Sequence, residues 1–156
     1  MIKKIVLWIL VIFWMGLIFY FSSFKGDEST KQSQGFLYNT IGNIIDFFDK
    51  DISIKDKEII IEKYDPIVRK IAHAFIYMVL AFLVSMLLMS YNINLTKCII
   101  MTFIICVMYA VSDEIHQSFI NGRSAELRDV LIDSIGIIIE NLIFLWRYKY
   151  GRKENS

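Results

Sequence analysis

Ser112-Asp113-Glu114-Ile115-His116-Gln117 is a dense polar hexapeptide fused directly to a strongly apolar run, Cys98 to Val111. Thr102 and Tyr109 carry the only hydroxyls in that run. Ionisable side chains at a membrane boundary are costly to desolvate, so a cluster of them at the end of a span-like segment needs a partner or a function. Outward from this junction the chain reads as a small multi-pass membrane protein with its polar chemistry gathered at one face of the bilayer.

Composition sets the solvent. The 156 residues are 56% hydrophobic and 15% aromatic, with a mean hydropathy of +0.50. Soluble domains are roughly 45–50% apolar. A formal net charge of +1 provides no basic stripe for nucleic acid, so no nucleic-acid partner is expected. Cys98 and Cys106 lie in one apolar run, about 12 Å apart along a helix. That is beyond disulfide reach, so both read as packing residues.

Four spans follow from the apolar runs: Ile5 to Phe21, Ile71 to Met89, Leu95 to Val111 and Val130 to Trp146. The first sits behind Lys3 and Lys4, as a signal peptide would. Its long core, rich in Trp and Phe and without a small-x-small cleavage site, predicts an uncleaved span instead. The third and fourth are near the short limit for about 30 Å of hydrocarbon, which puts their polar ends at the headgroup boundary. Asp65-Pro66 reads as an N-cap followed by proline at the first helical position, preceded by a separate short helix over Ile54–Lys63. Asn92-Ile93-Asn94 is a tight link, and Asn121-Gly122 a stop, with Ser124 able to cap the next helix.

One side of the bilayer receives Lys3, Lys4, Lys97, Arg147, Lys149, Arg152 and Lys153, while acids outnumber bases in residues 22–68 and 112–129. The positive-inside rule therefore places both termini in the cytoplasm and the polar hexapeptide outside. Between spans one and two, Leu37, Ile41, Ile44, Ile45 and Phe48 repeat at helical spacing and predict an amphipathic helix on the outer face. The expected fold is all-α: a membrane-embedded four-helix bundle with an extracytoplasmic amphipathic-helix insertion, forming a single domain.

Helix two opens with Arg69, Lys70, His73 and Tyr77 on one face. Thr102, Cys106, Tyr109, Asp113 and Gln117 share a stripe on helix three, with His116 beside it. Asp129, Asp133, Gly136 and Glu140 share one on helix four, and Arg123 and Arg128 lie in or near the preceding turn. Unpaired charge cannot rest against lipid, so the stripes should converge in the bundle interior. The expected neighbours are His73 with Asp113 or Gln117, and Arg123 with Asp129 or Asp133. These groups would equally serve as interhelical hydrogen bonds or as a binding site. Arg69 and Arg123 suit an anionic headgroup or phosphate, while Glu114 and His116 would be the acid–base pair of an enzyme. Without an i, i+4 histidine pair or an HExxH motif, no metal centre is expected. With no P-loop, nucleophile elbow or dinucleotide fingerprint, no cofactor is expected either.

Arg69-Lys70-Ile71-Ala72-His73 with Tyr77, Ser112 through Gln117 with Phe119 and Gly122-Arg123, and Asp129 through Asp133 with Gly136 together resemble the VanZ-like family. Ser22-Ser23 and Ser29 resemble its serine-rich segment after the first span. The chain departs from the family pattern at Asn121, where proline is frequent, and at Phe24, where glutamine is. It departs again at Glu140, where a glycine would permit close helix packing. The resemblance implies an integral membrane protein of the cell envelope. The family's founding member is linked to low-level teicoplanin resistance, but the family supplies no established reaction. Membrane lipids, a lipid-linked cell-wall precursor or an anionic headgroup are the partners it suggests.

Overall fold

The computed structural model describes residues 1–24, 35, 53–120 and 126–151. The amphipathic helix read over Leu37–Phe48, Ser29, Arg123 and the Asn121–Ser124 turn lie outside the described residues. Among the described residues the long elements are four helices: α1 (Ile2–Ser22), α2 (Ile54–Met89), α3 (Leu95–Ser118) and α4 (Leu127–Gly151). The fold is all-α.

By length and composition, α1, α2 and α3 are apolar enough to cross a membrane. The fourth helix is built inside out relative to a soluble one. It buries Asp133, Glu140 and Asn141 and leaves Leu131, Ile135, Leu142 and Trp146 exposed. A polar interior beneath an apolar exterior is stable only where the surrounding medium is apolar. Similar apolar exposure runs along α1, at Ile9, Ile12 and Phe13, and along α3, at Ile104 and Met108.

The largest correction to the sequence reading is at Asp65-Pro66. No helix starts there. Ser53 caps a continuous 36-residue helix, its side chain accepting from the Lys55 amide, and Pro66 lies inside that helix. Proline removes one helical hydrogen bond and leaves the carbonyl four residues back without its partner. Glu62 and Pro66 are both on the exposed side, so the freed carbonyl is not trapped in the core. Asp65 is instead buried, with Arg69 one turn further on at 4.0 Å. The helix is about 54 Å long, well beyond the hydrocarbon thickness, so one end of it stands clear of the apolar span.

The hairpin between α2 and α3 is as tight as its sequence suggests. Asn92 takes a positive φ of 56°, which asparagine tolerates better than most residues. Asn94 then caps α3, accepting from the Lys97 amide at 2.9 Å. The start of α1 joins this end: Trp8 donates to the Tyr91 hydroxyl at 3.0 Å, and the Lys4 ammonium sits over the Tyr91 ring. Lys4, Lys97 and the α2–α3 hairpin therefore share one end of the bundle.

The most extensive packing is between α2 and α4. It centres on Gly136, where an added Cβ would overlap the Ala74 carbonyl. Glu140, one turn further, does not open this contact; its own side chain is buried. Tyr77, Leu80, Ala81, Val84, Cys106, Ala110 and Ile137 form the core, closed on the α1 side by Leu7, Val11 and Ile18. Both cysteines are fully buried and free.

Candidate functional site

The end of the bundle opposite the lysine-bearing hairpin holds the polar stripes. Pro66, Arg69, Lys70 and His73 from α2, Glu114 and Gln117 from α3, and Glu126, Asp129, Ile132 and Asp133 at the start of α4 line one cavity of about 300 Å³. The bases come from α2 and the acids from α3 and α4. Two contacts join the walls like rungs. The Lys70 ammonium lies 3.9 Å from Asp129, and one turn deeper His73 Nδ1 lies 3.9 Å from Asp133. Charge-assisted hydrogen bonds at full strength run at about 2.7–2.9 Å, so these walls face each other without closing.

His73 thus pairs with Asp133 rather than with Asp113 or Gln117, although Gln117 lines the same cavity. Asp113 is turned toward α1. Its Oδ2 accepts from the Ser22 hydroxyl at 2.8 Å and from the Gln117 amide at 3.0 Å, and the same amide donates to Ser22 at 3.2 Å. Asp113 is 1% exposed and Ser22 3%, so this three-membered knot is a dry interhelical fastening. Tyr77 is fully buried nearby, its hydroxyl within electrostatic reach of Asp113 and Asp133.

Glu114 lines the cavity while holding its wall in place. Its Oε1 accepts from the Glu126 amide at 2.7 Å, which satisfies a backbone donor just before α4 that helix geometry leaves without a partner. His116 points elsewhere. It stacks on Phe19 at 4.5 Å between ring centroids and shares a 3.1 Å hydrogen bond with Ser23. The structure therefore brings Arg69, Lys70, His73, Glu114, Gln117, Asp129 and Asp133 to one cavity. Tyr77 and Asp113 are not among its lining residues, and His116 is on the α1 side.

The sequence reading missed Pro66, Glu126 and Ile132 as lining residues. Glu126 was within reach of inspection as an acid one residue before a helix start. Ile132, apolar and next to Asp133, carries no signal that separates wall from core. Deeper in the bundle is a second polar group: Ser85 and Thr102 share a hydrogen bond of 3.2 Å, Cys98 donates to the Ser85 carbonyl, and Asn141 donates to Ile99. Among the described residues, no group of three or more His, Cys, Asp or Glu side chains is arranged to hold a metal ion.

The family model of VanZ/LLP1 matches residues 7–148, nearly the whole chain and every element that builds this cavity. The chain belongs to the VanZ/LLP1 family. No curated protein and no solved structure was found to match it. As a VanZ/LLP1 protein with membrane-span helices, it is an integral membrane protein. The residues that carry the resemblance fall, where described, into two structural groups: the α2, α3 and α4 residues at the cavity end, and Ser22-Ser23, which tie α1 to Asp113 and His116.

Proposed function

We infer that this protein works in the cell membrane, with both termini in the cytoplasm and α4 as a fourth crossing. Its cavity engages a lipid-linked or anionic component of the envelope at the outer surface, and through it modulates susceptibility to teicoplanin-type glycopeptides. The observation that carries this reading is the cavity itself. Charged side chains from three helices line one space of about 300 Å³, at the end of the bundle away from Lys4 and Lys97. That volume is at the lower end of ordinary ligand sites. The family membership supports the envelope context.

Binding is favoured over acid–base catalysis by the positions of the two candidate catalytic groups. Glu114 is engaged with the Glu126 amide, and His116 is packed against α1 rather than lining the cavity. An acid–base pair needs both groups within reach of one substrate atom.

The test is teicoplanin susceptibility in a host expressing wild type or variants at matched membrane levels. Arg69→Lys keeps charge but loses the guanidinium fork, so it should reduce the effect in part, while Arg69→Gln should remove most of it. An unchanged susceptibility between the host and the host with wild type excludes the resistance role.

A further inference from the structure

We propose that Glu140 is a proton-binding site inside the bilayer: its carboxyl is neutral at rest and exchanges its proton with water on the Arg147 side of α4. The proposal rests on the reading of α4 as a fourth crossing and concerns a part of the bundle away from the cavity.

Glu140 lies one turn beyond the contact of Gly136 with Ala74, on the same face of α4. It is 5% exposed, while Ile138, Ile139, Leu142 and Ile143 around it are turned outward. On the four-crossing reading, that apolar exterior puts this level of α4 in hydrocarbon. More than ten residues separate Glu140 from either end of the helix.

What this level lacks is a donor. Among the described residues, Glu140 Oε1 and Asn141 Oδ1 are both buried without a hydrogen-bond partner, and both atoms are acceptors when the carboxyl is ionised. The Asn141 amide donates to the Ile99 carbonyl instead, and the Cys98 thiol to the Ser85 carbonyl. No side-chain cation fills the gap. The helices packed on α4 are α2 and α3. At this depth their residues 77–85 and 98–109 hold no charged side chain, and their titratable groups are Tyr77, Cys98, Cys106 and Tyr109. On α4 itself the charged neighbours are Asp133 and Arg147, two turns away on either side. A metal ion needs several oxygen ligands, and among the described residues no group of three or more His, Cys, Asp or Glu could hold one. A carboxylate buried without a close counter-ion is strongly disfavoured. A proton removes that charge and supplies the missing donor together.

Arg147 decides the side. It stands about 10 Å further along the same stripe, and its field reaches the Glu140 carboxyl. The guanidinium lies over the Phe82 ring, 6.0 Å from the centroid, and the residue is exposed. A long arginine side chain keeps its stem on apolar surface and its head in water. On release the Glu140 O–H bond breaks, the proton passes to that water, and the electron pair stays on a carboxylate that the guanidinium attracts.

Infrared difference spectra of the full-length protein in phosphatidylcholine nanodiscs, wild type minus Glu140→Gln, read the proton directly. Glu140→Leu supplies a second reference. The expected result is the carbonyl stretch of a protonated carboxylic acid at neutral pH, moving downward in heavy water and giving way to carboxylate bands as the pH rises. Arg147→Gln removes the cation that favours the carboxylate, so it should shift that transition to higher pH. Carboxylate bands at neutral pH overturn the proposal. An acid band whose transition Arg147→Gln does not move overturns the exchange on the Arg147 side.

The underlying reading is tested separately by Ile139→Cys, at a position 43% exposed, which should stay silent to a water-soluble maleimide in the same nanodiscs. A reactive Ile139→Cys overturns the fourth crossing and the proposal with it. A silent one together with carboxylate bands overturns the proposal alone.

Discussion

Gly136 on α4 is pressed against the backbone of Ala74 on α2: a Cβ built there would overlap the Ala74 carbonyl oxygen and come within 2.7 Å of its carbonyl carbon. Backbone cannot yield as a flexible side chain can. This contact sets the separation of the two helices, and so the distance between the basic and acidic walls one to two turns away.

Gly136→Ala should therefore destabilise the bundle by about 3 kcal/mol, the upper end of ordinary overpacking costs. Gly16, with nothing within 4 Å of an added Cβ, is the internal control. Gly16→Ala should be neutral or stabilising by up to about 1 kcal/mol, as expected for glycine inside a helix. Thermal unfolding of both variants in one detergent checks the pair. Equal behaviour would show that the close approach is not a constraint.

Ser22 and Asp113 hold α1 to α3 through a buried 2.8 Å hydrogen bond. A double-mutant cycle with Ser22→Ala and Asp113→Asn should give a coupling energy of roughly 0.5–2 kcal/mol, the range seen for interhelical bonds in membranes. Unfolding free energies of the four proteins supply the measurement. Strict additivity would remove Ser22 from the account of what fastens α1.

Glu140 is 5% exposed, and its Oε1 has no hydrogen-bond partner among the described residues. A buried polar atom left without a partner costs about 1–3 kcal/mol. Glu140→Leu, similar in volume, should leave the protein as stable as wild type or more so. Glu140→Lys should prevent folding. A clear loss of stability in the leucine variant would mean that this carboxyl is used.

Exposure at the two ends of the bundle can be read by cysteine labelling. The native thiols, Cys98 and Cys106, are both fully buried and should stay silent. Phe119→Cys, at the cavity end, should react with an impermeant maleimide applied to intact cells, and Asn92→Cys should react only after permeabilisation. The opposite pattern inverts the orientation.

The polar stripes were legible in the sequence because each places ionisable groups at helical spacing on an otherwise apolar segment. What periodicity could not supply is rotation of one helix against another. It puts His73 on the inner face of α2 without deciding whether that face meets α3 or α4, and His73 in fact meets Asp133. The same ambiguity hid the orientation of Asp113 toward Ser22 and of His116 toward Phe19 and Ser23. Local rules misread Asp65-Pro66, a strong helix-start signal. Ser53 provides the cap instead, and Pro66 on the exposed side is tolerated within the helix. Glu126 and Ile132 join the cavity only through the packing of α4.

On the proposed function, the cavity lined by α2, α3 and α4 holds a polar headgroup from the envelope. Mass spectrometry of lipids co-extracted with the purified protein tests it without presuming a reaction. Wild type should carry one phosphate-bearing lipid or lipid-linked precursor enriched over its share of the bulk membrane. Lys70→Gln, purified identically, should lose that enrichment. Indistinguishable profiles from wild type, variant and bulk membrane would contradict the claim and leave the polar groups as fastenings of the bundle.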